Sequence, residues 1–138
     1  METVIVDAGP LVAYLNKEER DHGWVQDQFR RLRTPLFSCE AALSEAFFLL
    51  SGTHGGTRQL LAVLARGLVV PAFDVRSELA AVSQLMQRYE NVPMSLADAC
   101  LVRMAELRAG ATVFTLDSDF KIYRKNRREV IPLLEPAS

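Results

Sequence analysis

"TVIVDAGPLVAYLN", residues 3–16, decides the fold class. "TVIV" (3–6) is a continuous β-branched run, short enough for a buried strand. It ends at Asp7, and "AGPLVAYLN" continues as a helix with Pro10 suited to its first turn. The same alternation recurs down the chain. "GWVQDQFRRLR" has helical period, with Trp24, Val25, Phe29 and Leu32 forming an apolar stripe. "PLFS" (35–38) is a short strand leading into the helix "AALSEAFFLL" (41–50), and "SGTHGG" breaks the chain after it. "TRQLLAVLARG" is a further helix with Gly67 as its stop, and "LVVPAF" (68–73) is a third strand. "RSELAAVSQLMQRYE" (76–90) is amphipathic, with Leu79, Val82, Leu85, Met86 and Tyr89 on one face.

"PMSLADACLVRMAELRAG" (93–110) is the best-punctuated helix: Ser95 is a natural N-cap, Asp98 stands three residues on as in a capping box, and Gly110 closes it. "TVFTL" (112–116) is a fourth strand ending at "DSDF", and "VIPLL" (130–134) a fifth. Strands alternating with helices predict a single three-layer α/β domain over residues 1–138. Its central parallel sheet of about five strands is flanked by helices.

The 138 residues suffice for one buried core, and 49% apolar with 24% charged residues is ordinary globular composition. No apolar run approaches a membrane span, and "METVIVDAG" lacks a basic n-region and cleavage site, so the expected compartment is the cytoplasm. Cys39 and Cys100 lie in apolar helical contexts without zinc-ligand spacing and read as small core residues. Net charge is −1, but "KIYRKNRR" gathers Lys121, Arg124, Lys125, Arg127 and Arg128, and "RRLR" groups Arg30, Arg31 and Arg33. His22 and His54 sit in polar, loop-like surroundings and are expected to be neither ligands nor bases.

Two acids share a structural address. Asp7 ends the first strand and Asp117 the fourth. In an open parallel sheet, ligands bind beyond the strands' C-terminal ends, where strand order reverses. If those strands are neighbours, their backbones lie about 4.8 Å apart, and two ionised aspartates there would repel unless a cation neutralised them. Asp98 stands in line with Leu101, Val102 and Ala105, at one end of the core. Glu45 has Ala41, Ala42, Phe48 and Leu49 as its helical neighbours and so is expected to face the interior or its edge. Four carboxylates aimed at one place need a multivalent cation, and hard oxygen ligands select Mg²⁺ or Mn²⁺.

Each acid has a plainer explanation. Asp98 could be only a capping residue, Asp7 a turn residue before Gly9-Pro10, and Asp117 or Asp119 the start of a turn. Glu45 could be paired with an arginine. The basic run could be a solvated face.

"VIVDAGPLVAYL", "ALSEAFFLL", "SLADACLVRMAEL" and "TVFTLDSDF" occur in the order and spacing of PIN-domain proteins. The chain resembles most the toxin ribonucleases of VapBC toxin–antitoxin pairs, over essentially its whole length. The resemblance implies Asp7, Glu45 and Asp98 as metal-site and catalytic acids, with Asp117 of "TLDSDF" as the fourth. Asp7, Asp98 and Asp117 are expected to be direct or water-mediated metal ligands, and Glu45 either an outer ligand or the group that orients the attacking water. Asp119 is an accessory candidate, and Thr115 matches the family's hydroxyl residue. Many members carry Ser or Thr just after the first aspartate, where this chain has Ala8-Gly9, which leaves an orienting hydrogen bond to be supplied otherwise. The resemblance also implies Mg²⁺- or Mn²⁺-dependent endonucleolytic cleavage of RNA, a cognate antitoxin over the active groove and a homodimer. The helices at 41–50 and from 57 onward are the expected partner surfaces. Some of Lys121, Arg124, Lys125, Arg127 and Arg128 are expected to hold the RNA backbone.

Three rivals fit less well. A receiver-like domain needs a second acid at strand one and a lysine after strand five, which this chain lacks. A small-molecule phosphatase lacks its DxDxT motif after strand one. The alternative kept is a catalytically inactive PIN-like module that binds RNA or protein.

Overall fold

The computed structural model describes residues 2–137. Among them the order is β1 (Val4–Val6), α1 (Ala8–Leu15), α2 (His22–Arg31), β2 (Leu36–Ser38), α3 (Glu40–Leu50), α4 (Gly56–Ala65) and β3 (Val69–Pro71). Then come α5 (Leu79–Arg88), α6 (Leu96–Leu107), β4 (Thr112–Phe114), a 3₁₀ turn (Ser118–Lys121), β5 (Arg124–Lys125), β6 (Glu129–Val130) and β7 (Leu133–Leu134).

Five parallel strands form one sheet in the order β3-β2-β1-β4-β7. The chain winds outward from β1 through β2 to β3, then crosses back to place β4 on the other side of β1. The reversal point therefore falls between β1 and β4, the two strands that end at Asp7 and before Asp117. They pair in register, Val6 opposite Phe114, and the Asp7 amide donates to the Phe114 carbonyl at 2.9 Å.

Alternating strand residues feed two cores, one on each face. Ile5 and Val113 join Leu101, Val102 and Met104 of α6 and Val82 and Leu85 of α5. Val4, Val6 and Phe114 join Leu11 of α1, Val25 of α2 and Leu60 of α4. Each fully buried aliphatic of this size contributes roughly 1.5–3 kcal/mol. Helix α3 belongs to both layers: Ala42 packs into the first core, and Leu43, Ala46 and Leu50 into the second. It touches both α1 and α6, which puts its outer face at the rim of the sheet's C-terminal edge.

Two features differ from the sequence reading. The last strand of the main sheet is Leu133–Leu134 alone, and Val130 belongs instead to a small antiparallel hairpin, β5–β6, inside the basic run. The hairpin turns through Asn126 and Arg127, both at positive φ (50° and 72°). Strands of two residues carry no readable alternation, so the pattern could not announce them.

Candidate active site

Beyond the C-terminal ends of β1 and β4 lies a cleft of about 440 Å³, lined by Asp7, Gly9, Glu19, Arg20, Asp21, Glu45, Leu49, Asp98, Leu116 and Asp117. Residues 7, 45, 98 and 117, from four separate elements, thus meet there.

Asp7 is the N-cap of α1: its Oδ1 accepts from the Ala8 amide at 2.7 Å. Its Oδ2 accepts from the Thr115 hydroxyl at 2.8 Å, and the Thr115 Oγ1 in turn accepts from the Asp117 amide at 3.0 Å. One hydroxyl at the end of β4 therefore fixes two of the acids. It supplies, with the Ala8 backbone, the orienting bonds that Ala8-Gly9 leaves without a side-chain hydroxyl.

Asp98 occupies the first turn of α6. The capping box forms, the Asp98 amide donating to Ser95 Oγ and the Ser95 amide to Asp98 Oδ2, both at 3.0 Å. The capping role and the cleft position coexist, because one oxygen caps while the carboxylate faces the other acids. Tyr123, buried between Tyr89 and Phe120, shares its hydroxyl proton between the Pro93 carbonyl and Asp98 Oδ2. Asp117 caps the 3₁₀ turn, its Oδ1 accepting from the Asp119 amide at 2.9 Å. Asp119 contributes that backbone bond and does not line the cleft.

Glu45 differs from its sequence reading. It is exposed, as are its neighbours Phe48 and Leu49. The buried face of α3 is Ala42, Leu43, Ala46 and Leu50, so Glu45 stands on the flank that overlooks the cleft. Its ion-pair competitor does not materialise: no arginine or lysine bridges it among the described residues.

The electrostatics record this crowding. Burial pushes the Asp7 carboxyl up to about 6, opposed by the Thr115 and Ala8 hydrogen bonds and reinforced by Asp98 and Glu45. Against an ordinary value of 3.8, that is a penalty of about 3 kcal/mol on the charged form. Burial also raises Asp98, with Asp117 adding to the effect. Glu45 is raised by desolvation and by the charges of Asp98 and Asp117.

A divalent cation would relieve all of these shifts at once. The donor set is all oxygen, as Mg²⁺ and Mn²⁺ prefer. Among the described residues no three acids close into a preformed cage.

The basic residues expected to hold RNA lie elsewhere. None of the five lines the cleft. Lys121 pairs with Glu135 at 3.3 Å, Lys125 is buried, and Arg124 donates through Nη1 to the carbonyls of Lys121, Ile122 and Tyr123. Arg127 lies beside Arg88, Arg103 and Glu106 in a separate depression, and Arg128 is exposed. Of the histidines, the His22 ring donates from Nδ1 to the Ala13 carbonyl at 2.7 Å, and His54 lies in a shallow pocket with Asn16 and Gln59.

The family model of the PIN domain matches residues 4–126. This chain belongs to the PIN-domain family. It is similar to Ribonuclease VapC26 of Mycobacterium tuberculosis, 27% identical over 118 residues that cover 83% of this chain and 86% of the relative. Its fold is similar to the crystal structure of VapC20 of Mycobacterium tuberculosis, described as a Sarcin-Ricin loop cleaving toxin. The TM-score is 0.76 at 17% identity, covering 87% of this chain and 94% of that one.

Two residues of this PIN domain's site escaped the sequence reading. Tyr123 was submerged in the basic run "KIYRKNRR", although an aromatic inside such a run is itself a sign of burial. Arg20 sits in the polar turn "NKEERD", where no periodicity marks any residue as inward or outward.

Proposed function

We propose that this PIN domain is a Mg²⁺- or Mn²⁺-dependent endoribonuclease, the toxin of a type II toxin–antitoxin pair. The observation that carries the reading is the meeting of Asp7, Glu45, Asp98 and Asp117 in one cleft at the β1–β4 reversal point, with no ion pair neutralising them among the described residues. Similarity to a protein named as a ribonuclease supports the substrate class.

Asp7, Asp98 and Asp117 would hold the metal. When bound, it supplies a polarised phosphate, an acidified water and stabilisation of the leaving oxygen. Glu45, on the open wall and raised in pKa by desolvation and then by the charges of Asp98 and Asp117, is suited to orient the attacking water and take its proton. Thr115 and Tyr123 hold Asp7 and Asp98 in place.

The partner surfaces follow from α3 and α4. Phe48, Leu49 and Leu61 are exposed at 76%, 50% and 54%, and Leu49 also lines the cleft. An antitoxin covering these side chains would close the cleft at the same time. Leu96 and Val75, both exposed, line one shallow apolar depression with Phe73 and favour a homodimer contact there.

The test is incubation of the purified chain with a mixed RNA pool in Mn²⁺, Mg²⁺ or chelator, beside Asp98→Asn. Cleavage that requires the metal and is lost in the variant is expected. RNA binding without cleavage under every metal would instead establish the inactive binding module.

A further inference from the structure

We propose that Arg20 grips the substrate phosphate in the acidic cleft, an inference that rests on the nuclease reading above. Among the described residues the cleft wall carries six carboxylates, those of Asp7, Glu19, Asp21, Glu45, Asp98 and Asp117, and one cation, Arg20. An RNA phosphodiester approaching that wall meets strong repulsion. A bound divalent ion offsets part of it, and a fixed positive group beside the acids offsets more.

Arg20 is free to act. It takes part in no ion pair or side-chain hydrogen bond among the described residues, although carboxylates stand on both sides of it in sequence and around it in the cleft. The turn on either side of it, by contrast, is held. The Glu18 amide donates to Asn16 Oδ1 at 3.0 Å, the Glu19 amide to the Asn16 carbonyl at 3.1 Å, and the His22 amide to the Glu19 carbonyl at 3.1 Å. The His22 ring then ties the start of α2 to the end of α1 through the Ala13 carbonyl. A pinned turn thus presents an unengaged guanidinium at the cleft. That group's planar fork of N–H donors matches two phosphate oxygens, which a lysine would meet only as a point charge.

None of the five cations of the basic run lines this cleft. Lys121 and Arg124 are engaged within the fold, Lys125 is buried, and Arg127 faces the depression beside Glu106.

The experiment compares wild type with Arg20→Ala and Arg20→Lys. RNA binding is measured with Ca²⁺ in place of the catalytic ion across a salt series, Mn²⁺ binding by calorimetry, and cleavage under single-turnover conditions. For Arg20→Ala, RNA affinity is expected to fall about tenfold or more, with the salt slope reduced by about one phosphate contact. Mn²⁺ affinity should stay equal or tighten, since a repelling charge is removed, and Arg20→Lys should recover part of the RNA affinity. Unchanged RNA affinity and salt slope in Arg20→Ala, with wild-type cleavage intact, would overturn the Arg20 assignment alone. Parallel losses of Mn²⁺ and RNA binding would also overturn it, by making the residue a support of the cleft. Absence of metal-dependent cleavage by the wild-type chain would remove the nuclease reading and this inference together.

Discussion

The acidic cleft and the basic hairpin stand at opposite ends of α6 and handle charge in opposite ways. Asp98 lies in the first turn of the helix, and Glu106, eight residues and about 12 Å further along its axis, anchors the hairpin through the Asn126 amide at 2.7 Å. At the hairpin end, charge is compensated. Glu106 accepts from both Arg103 and Asn126, Arg103 also bridges to Glu78 at 2.7 Å, and Arg124 folds back onto three carbonyls. At the cleft end, like charges from four elements gather without a counter-charge bonded to them among the described residues, and the Asp7 carboxyl is raised chiefly by burial, with the charges of Asp98 and Glu45 adding to it. Compensated charge serves the fold, whereas charge left uncompensated at a cost in stability marks a place awaiting a ligand.

The largest expected effect attacks the cleft directly. Asp98→Asn keeps an oxygen for the capping box but removes a negative charge, and metal-dependent cleavage should fall more than ~100-fold, beyond what groups that merely orient a ligand contribute. Initial rates in Mn²⁺ check this, and a loss under tenfold would weaken the contrast between the two ends of α6. Next in size, Thr115→Val removes the bond to Asp7 and the acceptor for the Asp117 amide. Mn²⁺ affinity by calorimetry should drop about 10–100-fold while the chain stays folded.

A smaller effect is on stability in chelator. The Asp7 pKa is raised on folding from about 3.8 to about 6, so its contribution is fully present below pH 4 and is lost as pH rises through 6. From pH 5 to 7.5 the metal-free chain should lose about 1–2 kcal/mol by urea denaturation on this account, and Asp7→Asn should remove that loss. Glu45 and Asp98 are shifted in the same direction and add to the trend. Smallest of all, charge reversal at Arg127 and Arg128 should weaken RNA binding less than about threefold, through long-range and salt-sensitive attraction. A loss matching that of Arg20→Ala in filter binding would show that the hairpin, too, meets the substrate.

The same contrast explains what the sequence could tell. The strand-to-helix step at Asp7, the capping box at Ser95 and Asp98, and the acid ending β4 are local signals, and each emerged where it was expected. The side on which Glu45 lies was not legible. Helix α3 has apolar residues on its buried face and again at Phe48 and Leu49 on its open face, so periodicity could not choose between them. The basic run looked like one patch because its members adjoin in sequence, but a hairpin with two left-handed residues turns them in different directions. Arg20 was invisible for the converse reason: Glu45, Asp98 and Asp117, the acids whose cleft it shares, are far away along the chain, and only folding brings them to it.

Asp7, Asp98 and Asp117 each begin a helical segment as well as facing the cleft. Removing any of them outright therefore loosens a helix start along with the chemistry. Glu45 alone holds no backbone group, so a disarmed chain meant to capture uncut RNA, or to be produced in quantity without harming its host, is best built as Glu45→Gln.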